Sequence, residues 1–417
     1  MRILVYSANY APEPTGIGKY SAEMAQWLVD MGHEVRVVTA MPHYPAWRID
    51  EAYRGQGYLR ETLDGVEVHR APLWVPHRPG ALARMLYLIG FAATSAPLIL
   101  RAAFWRPDVV LVVAPALVCA PAGWLCARLT GAAAWLHVQD FEIDVAFRTG
   151  MLRWRRRRRW IEAAERWLFR RFDRVSTISR RMIERTEAKG VAPSDVVFLP
   201  NWVDLDKIRP LAEASPFRAA LGLAPDAVVG MYSGSLGAKH GLDLLPEVAR
   251  RLAHLPNFVL VVCGEGVFQQ QLAQAAASLP NMRTLPLQPA DKLSHLLGMA
   301  DVHLLPQSPG VSDLVMPSKL VGMFASGRPV VVAASPGTEL AQVVQGHGAV
   351  VPPEDPTAFA AAVETLVLDA ELRAQQGAEA RRYAEANFGK DVVLHKLRDE
   401  LIGLRSADAT VTPASNG

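Results

Sequence analysis

The chain has 417 residues, too many for one ordinary hydrophobic core and enough for two domains. Hydrophobic residues make up 50% of it and charged residues 20%, a composition that excludes a disordered chain. The formal net charge is only +3, so charge over the whole molecule gives no argument for nucleic-acid binding.

The chain opens with a strand–loop–helix pattern. Residues 3–7 (ILVYS) predict a buried strand, and the loop that follows contains Gly16 and Gly18. This loop is not GxGxxG, and no aspartate follows the next predicted strand, so the pattern argues against a dinucleotide site. We expect the loop to approach a sugar or a phosphate from one wall of a cleft. The apolar run is too short for a secretion signal, which predicts a cytoplasmic protein.

Predicted strands alternate with helical stretches or loops through the first half, which indicates a parallel, doubly wound α/β sheet. The further strands are residues 35–39, 66–70, 109–113, 133–138, 175–178 and 196–199. The longest apolar stretch, residues 85–100, is shorter than the roughly 20 residues that a membrane span needs. We therefore expect a hydrophobic helix, partly buried and able to touch lipid.

Polar side chains gather where the strand at 133–138 ends, the edge at which open α/β sheets bind ligands. A carboxylate or an imidazole there can orient or deprotonate a hydroxyl group, so Asp140, His137 and Gln139 are candidate catalytic residues. The alternative is that Asp140 or Glu142 only caps a helix.

Arginine and aromatic residues interleave over residues 153–174, a composition that suits an anionic membrane surface. The predicted membrane contacts are Arg155, Arg156, Arg157, Arg158, Arg159, Trp160 and Trp167. The alternatives are a solvated helix or a nucleic-acid surface, although no recognised nucleic-acid motif accompanies the stretch.

Proline and polar residues break the pattern at 200–216, where we place the domain boundary. Asp204 and Asp206 there resemble a DxD metal motif but have no acidic cluster beside them. The cysteines, Cys119, Cys126 and Cys263, have no metal-binding spacing. We therefore expect no metal site, and buried thiols in a reducing compartment.

The second half repeats the opening plan. Its predicted strands are residues 228–233, 258–263, 283–285, 302–305, 330–333 and 349–351. The first of them leads into a glycine loop whose backbone N–H groups can approach phosphates: Gly234, Ser235, Gly237 and Lys239. Beyond residue 356 the pattern predicts helices at 357–368 and 370–404, and a disordered tail at 405–417.

A second candidate anion site precedes the apolar stretch at 320–325. Ser318 suits an N-cap, and Lys319 would lie in the first turn of a helix, where a cation is unfavourable unless an anion binds there. The alternative for both loops is that turns from strand to helix favour glycine whatever their function.

Several stretches together resemble glycosyltransferase family 4, in its branch of colanic acid biosynthesis glycosyltransferases. They are SANYAPEPTGIGKY, GHEVRVVTAMPHYP, WLHVQDFEID, RFDRVSTISRRM, FLPNWVD, YSGSLGAKHGL, CGEG and PSKLVGMFASGRPVV. The resemblance covers residues 1–404 and implies the GT-B fold, in which two Rossmann-like domains face each other. It implies an acceptor-side domain at 1–205, a nucleotide-sugar domain at 206–378 and a helix at 379–404 that packs back toward the first domain.

The resemblance also implies the chemistry, a retaining transfer of a hexose from a nucleotide-diphosphate sugar, with no metal or other cofactor. Ser318, Lys319 and the loop at 234–239 would hold the donor diphosphate, and Gly16 and Gly18 would face it. His137, Gln139 and Asp140 would lie on the acceptor side. Ser235 stands where many members have arginine. The family's paired glutamates are absent, which leaves Asp313 as the candidate for ribose recognition.

We therefore expect an enzyme of exopolysaccharide or cell-surface polysaccharide biosynthesis, bound peripherally to the cytoplasmic face of the membrane. Its partners would be a nucleotide-sugar and a polyprenyl-diphosphate-linked saccharide, without nucleic acid. The alternatives are a nucleotide-sugar epimerase on the same fold and a non-catalytic, membrane-associated assembly partner.

Overall fold

The computed structural model describes residues 1–14, 16–76, 80–115, 117–141, 158–237, 240–308 and 316–411. The chain forms two compact units. One comprises Met1–Pro200 and the chain from Leu394 onward, and the other comprises Asn201–Val393. Some predicted site residues lie outside the described ones: Arg155, Arg156, Arg157, Lys239 and Asp313.

Eight strands form the sheet of the first unit. They are β1 (Arg2–Ser7), β2 (Glu34–Ala40), β3 (Leu59–Leu63), β4 (Val66–Ala71), β5 (Val109–Ala114), β6 (Ala133–Val138), β7 (Arg174–Thr177) and β8 (Val196–Phe198). Their order is β3-β4-β2-β1-β5-β6-β7-β8, and β3 with β4 is the antiparallel pair among otherwise parallel neighbours. Strands β5 and β6 are buried throughout, as expected when helices cover both faces of a sheet.

The first unit also contains the helices α1 (Gly16–Asp30), α2 (Ala81–Ala103), α3 (Ala120–Thr130), α4 (Arg158–Phe169) and α5 (Arg180–Ala188). Helix α2 is longer than the predicted apolar stretch. One face of α2 is buried and contains Tyr87, Phe91, Ser95 and Ile99. The helix also contacts α3. Among the described residues, Ala83–Ala103 form the one helix that is long and apolar enough to cross a membrane. Of this candidate segment, 22% is buried inside the structure.

The second unit contains a six-stranded parallel sheet, so the predicted α/β class is confirmed in both units. Its strands are β9 (Val228–Ser233), β10 (Phe258–Cys263), β11 (Met282–Leu285), β12 (Val302–Leu305), β13 (Val330–Ala333) and β14 (Gly348–Val351), in the order β11-β10-β9-β12-β13-β14. The three cysteines are buried and form no disulfide, which confirms the predicted buried thiols.

The helices of the second unit are α6 (Pro216–Ala220), α7 (Leu244–Arg251), α8 (Gln269–Ser278), α9 (Leu293–Met299), α10 (Lys319–Ala325), α11 (Glu339–Val344), α12 (Pro356–Leu368) and α13 (Ala370–Asn387). The last helix, α14 (Lys390–Val411), begins in this unit and belongs to the first from Leu394 onward, where His395 contacts the Trp27 ring at 5.0 Å between ring centroids. Helix α14 extends past residue 404, the predicted end, because no glycine or proline interrupts the chain between Leu404 and Val411.

In each sheet the strand order reverses at one point, between β1 and β5 in the first unit and between β9 and β12 in the second. Loops that leave the carboxyl ends of strands on either side of such a point diverge and open a crevice in which α/β proteins bind ligands. The candidate residues at Gly16–Gly18 and Gly234–Gly237 follow β1 and β9, so the topology places each group at such a crevice.

Candidate active site

The loop after β9 is held in place by the loop after β10. The Gly234 N–H donates to the Cys263 carbonyl at 2.9 Å, and the Leu236 N–H donates to the Glu265 carbonyl at 2.8 Å. Gly234 and Gly264 have φ values of +134° and +153°, and a Cβ at Gly264 would collide with the Gly234 carbonyl. Two glycines are therefore needed for the close approach of these loops, and Gly264 is one that sequence reasoning left without a role.

Lys319, at the start of α10, lies against the same loop. A Cβ at Gly234 would lie 2.8 Å from Lys319 Nζ, so the lysine side chain occupies the space that the glycine leaves. Lys319 Nζ donates to the Tyr232 hydroxyl, which donates to the Ser235 carbonyl at 2.7 Å. The structure thus brings Gly234, Ser235 and Lys319 close together. Tyr232 completes the group and was not predicted.

Ser318 lies beside Lys319, but the predicted capping bond is absent. Its side chain is exposed and makes no capping hydrogen bond, because its φ and ψ of −59° and −18° are helical. A side chain caps a helix from an extended backbone. The Ser318 hydroxyl is therefore not used to cap α10.

Gln307 lies across the crevice from the loop after β9. It follows β12, is 7% exposed, and its Oε1 has no hydrogen-bond partner among the described residues. A Cβ at the neighbouring Gly241 would lie 3.3 Å from the Gln307 backbone, so Gly241 allows this close packing. A buried carbonyl oxygen without a donor can accept a hydrogen bond from a ligand. Neither residue was predicted, because the contact depends on the pairing of β9 with β12.

In the first unit, Gly18 has a packing role. A Cβ there would lie 2.8 Å from Glu13, whose buried carboxylate accepts hydrogen bonds from the backbone N–H groups of His43 and Tyr44, both at 3.0 Å. Asn9 Nδ2 donates to the same carboxylate at 2.9 Å. Gly16 has a positive φ of +63°, which glycine adopts readily where the loop turns into α1.

His137 is buried and both of its ring nitrogens are engaged. Nδ1 lies 2.8 Å from Ser176 Oγ, and Gln139 Nε2 donates to His137 Nε2 at 2.9 Å. Burial lowers the pKa of His137 to about 4, which keeps the ring neutral. This geometry favours His137 as a residue that orients Gln139. Asp140, half-buried at the end of β6, is the more accessible of the candidates.

Asp204 of the DxD-like sequence stabilises the turn in which it lies. Its carboxylate accepts from the backbone N–H groups of Asp206 and Lys207, both at 3.1 Å. In the part of the chain that the structure describes, no group of three His, Cys, Asp or Glu side chains is arranged to hold a metal ion.

Most of the described part of the basic stretch forms α4. Its outward face carries Trp160, which is 79% exposed, and Trp167, whose ring lies 5.9 Å from that of Trp124 on α3. Arg171 lies over both the Trp124 and the Trp167 rings, at 5.8 and 4.7 Å from the centroids. Glu165 on the opposite face is buried and pairs with Lys189 at 2.6 Å. Helix α4 is therefore amphipathic, with aromatic and basic groups outward.

Two family models match the chain. One, described as "Glycosyl transferase 4-like domain", matches residues 15–202, and the other, described as "Glycosyl transferases group 1", matches residues 215–383. The chain is 38% identical to WcaI of Escherichia coli K12 over 413 residues, which are 97% of this chain and 100% of that protein. WcaI is assigned as a colanic acid biosynthesis glycosyl transferase.

The solved structures that resemble this chain establish its fold. Sucrose-phosphate synthase of Thermosynechococcus elongatus has a TM-score of 0.74 and 16% identity, covering 97% of this chain and 99% of its own. HepE of Anabaena, solved with UDP and glucose, has a TM-score of 0.69 and 18% identity, covering 97% of this chain and 100% of its own.

Proposed function

Because the chain belongs to glycosyltransferase family 4 and has the GT-B fold, we propose that it transfers a sugar from a nucleotide-sugar to a polyprenyl-diphosphate-linked saccharide, with retention of configuration. The product would be a precursor of an exopolysaccharide or cell-surface polysaccharide. The support for this pathway is the extent of the match to WcaI.

The single observation that carries the donor assignment is the placement of Lys319. Its ammonium group lies beside the glycine loop at the crevice between β9 and β12, where backbone N–H groups and a cation can meet one diphosphate. HepE, which shares the fold, has been solved with UDP and with UDP-glucose. Lys239 would add a second positive charge, and Asp313 would contact the ribose.

Catalysis in this proposal rests on positioning and on stabilisation of the departing diphosphate. Charge develops on the leaving group as the bond to the sugar breaks, and Lys319 with the loop N–H groups would offset that charge. A lysine ammonium group, not a metal ion or another cofactor, would supply the cation. On the acceptor side, Asp140 would orient the attacking hydroxyl, and His137 would hold Gln139 beside it.

We further propose that the protein is peripheral on the cytoplasmic face of the membrane. Support comes from three adjoining helices whose outward residues are apolar or basic. These exposed residues are Leu86, Ile89 and Leu100 on α2, Phe104 just beyond its end, Leu125 and Leu129 on α3, and Arg159, Trp160 and Trp167 on α4. Tryptophan settles at the headgroup level and arginine attracts anionic lipid.

A panel of nucleotide-sugars tests the proposed function. The purified protein is incubated with each donor, with and without a lipid-diphosphate-linked saccharide, and released nucleoside diphosphate is measured. Release that depends on the acceptor supports the proposal. Conversion of the donor sugar without nucleotide release would indicate an epimerase, and no change in any donor would indicate a non-catalytic partner.

A further inference from the structure

Two cavities lie at the carboxyl ends of β1, β2 and β4 in the first unit, and Arg48 lines both. The first has a volume of about 410 Å³ and lies between the loops after β1 and β2. The second, of about 320 Å³, lies between the loops after β2 and β4. Because they share a wall, one elongated ligand could occupy both.

The first cavity has polar and rigid walls. Glu13 and His43 line it, and both are buried and hydrogen-bonded: Glu13 by backbone N–H groups, and His43 by the Met41 carbonyl at 2.9 Å and the Tyr87 hydroxyl at 2.7 Å. Tyr44 and Asp50 add further polar groups. Preorganised hydrogen-bonding groups beside an aromatic ring suit the hydroxyl groups and faces of a sugar.

The second cavity has a different chemistry. Trp47, Leu73, Trp74 and Pro76 make its walls largely apolar, and Trp74 is 59% exposed. Arg84, in the first turn of α2, lies over the Trp47 ring at 5.4 Å from its centroid. The exposed apolar side chains of α2 begin at Leu86, two residues beyond Arg84. The apolar and aromatic walls of the second cavity suit a hydrocarbon chain.

Positive charge lies where the cavities join. Arg48 and Arg54 line the second cavity, and both pair with Glu51, at 3.9 and 3.6 Å. These side chains are 63%, 57% and 75% exposed, so the ion pairs are weak and a ligand of higher charge can replace Glu51. Arginine binds diphosphate oxygens through two N–H groups at once.

We propose that these cavities bind the lipid-diphosphate end of the acceptor. The sugar attached to the diphosphate lies in the polar cavity, Arg48 and Arg54 bind the diphosphate, and Trp47 and Trp74 contact the first isoprene units. The inference rests on the proposed function, whose acceptor is a lipid-linked saccharide. Strands β2 and β6 are three positions apart in the sheet, about 14 Å at the usual strand spacing, so a short saccharide can reach from this site to Asp140.

Binding of geranylgeranyl diphosphate, measured by isothermal titration without any donor sugar, tests the site. We expect the unmodified protein to bind it at least about tenfold more tightly than inorganic pyrophosphate or geranylgeraniol, because charge and apolar contact act together. The double variant Arg48→Gln/Arg54→Gln should weaken it about tenfold. Glu51→Gln should tighten it, since the competing carboxylate is removed.

The chain offers a matched control in Arg250 and Arg251, which are exposed and share one partner, Glu247, as Arg48 and Arg54 share Glu51. Arg250→Gln/Arg251→Gln should leave the affinity unchanged. Unchanged affinity in Arg48→Gln/Arg54→Gln would overturn the inference, and so would pyrophosphate binding as tight as that of the lipid. Because no sugar is transferred in this measurement, its failure is distinct from failure of the proposed transferase activity.

Discussion

Lys319 and Tyr232 are joined by a hydrogen bond from the ammonium group to the phenol, although they are 87 residues apart in the chain. Lys319 Nζ also lies 4.3 Å from the centroid of the Tyr232 ring. Tyr232 is itself buried in β9 and donates to the Ser235 carbonyl. A buried strand therefore sets the position of the lysine charge relative to the glycine loop.

Tyr232→Phe should lower donor affinity and turnover while the fold survives. The change keeps the ring but removes the hydroxyl that orients Lys319 and the Ser235 carbonyl. A hydrogen bond of this kind contributes roughly 0.5–1.5 kcal/mol, or more when it involves a charged group, so we expect a loss of about three- to thirtyfold in kcat/KM. Steady-state kinetics with the preferred nucleotide-sugar and a thermal melt provide the measurement.

Tyr58→Phe is the matched control, because the Tyr58 hydroxyl donates to the Thr94 carbonyl at 2.8 Å in the first unit. Its kinetics should equal those of the unmodified protein. If Tyr232→Phe also behaves like the unmodified protein, the hydroxyl has no part in positioning Lys319.

Lys319→Ala and Lys239→Ala should each weaken transfer strongly. Loss of a charge-assisted contact to a phosphate oxygen costs roughly 1.5–3 kcal/mol, which is about ten- to a hundredfold in kcat/KM. Lys292→Ala is a suitable control, since Lys292 is exposed and stands at the start of α9 in the same unit. Full donor affinity and turnover in both active-site variants would show that the diphosphate binds elsewhere.

Asp140→Asn should lower turnover more than donor affinity, because this edge of the first unit would hold the acceptor hydroxyl. His137→Gln should have a smaller effect of the same kind, acting through the orientation of Gln139. The measurements are kcat with saturating donor and the KM of each substrate. An equal loss of nucleotide binding and turnover in a folded Asp140→Asn protein would contradict the assignment.

The α/β class and most of the buried strands could be predicted from the sequence, whereas the side-chain contacts between strands could not. Apolar runs such as the one in β5 revealed the buried strands, but β3 was missed because it is a half-exposed edge strand without a continuous apolar run. His137 is predicted as a catalytic residue from its place at the end of β6, whereas its hydrogen bond to Ser176 on β7 depends on strand register, which the sequence does not show. Tyr232 and Gln307 were missed for the same reason, since both act through neighbours far away in the chain.

Stability should fall with decreasing pH between about 6.5 and 4. Burial lowers the pKa of His137 to about 4, and burial together with Arg328 lowers that of His303 to about 3. Across this range each histidine is protonated in the unfolded chain but stays neutral in the folded protein. Each one therefore lowers the free energy of unfolding by about 1.4 kcal/mol per pH unit of acidification. The stabilising effect is complete above pH 6.5 and is lost on acidification.

Urea unfolding at pH 7 and pH 5 measures this dependence. His303→Gln can keep the hydrogen bond to Ser326, which His303 makes through Nε2 at 2.9 Å, and it cannot titrate. The variant should show a smaller change in stability between the two pH values than the unmodified protein. An equal change in both proteins would mean that His303 does not contribute.

Replacement of Arg155–Arg159 with glutamine should release the protein from anionic vesicles at moderate salt and slow transfer to a lipid-linked acceptor. Each basic residue near an anionic surface contributes about 1 kcal/mol, and the attraction fades within a Debye length. Nucleotide release in the absence of an acceptor should stay nearly unchanged. Flotation of the variant with vesicles to the same extent as the unmodified protein would leave the arginines as a solvated face.

The most direct test of the account follows the sugar itself. A radiolabelled nucleotide-sugar is incubated with a polyprenyl-diphosphate-linked saccharide and either the unmodified protein or Lys319→Ala, and the lipid product is isolated for determination of its anomeric configuration. We expect labelled lipid product with the configuration of the donor, formed about ten- to a hundredfold more slowly by Lys319→Ala. Absence of labelled lipid with every donor, or equal rates with and without Lys319, would contradict it.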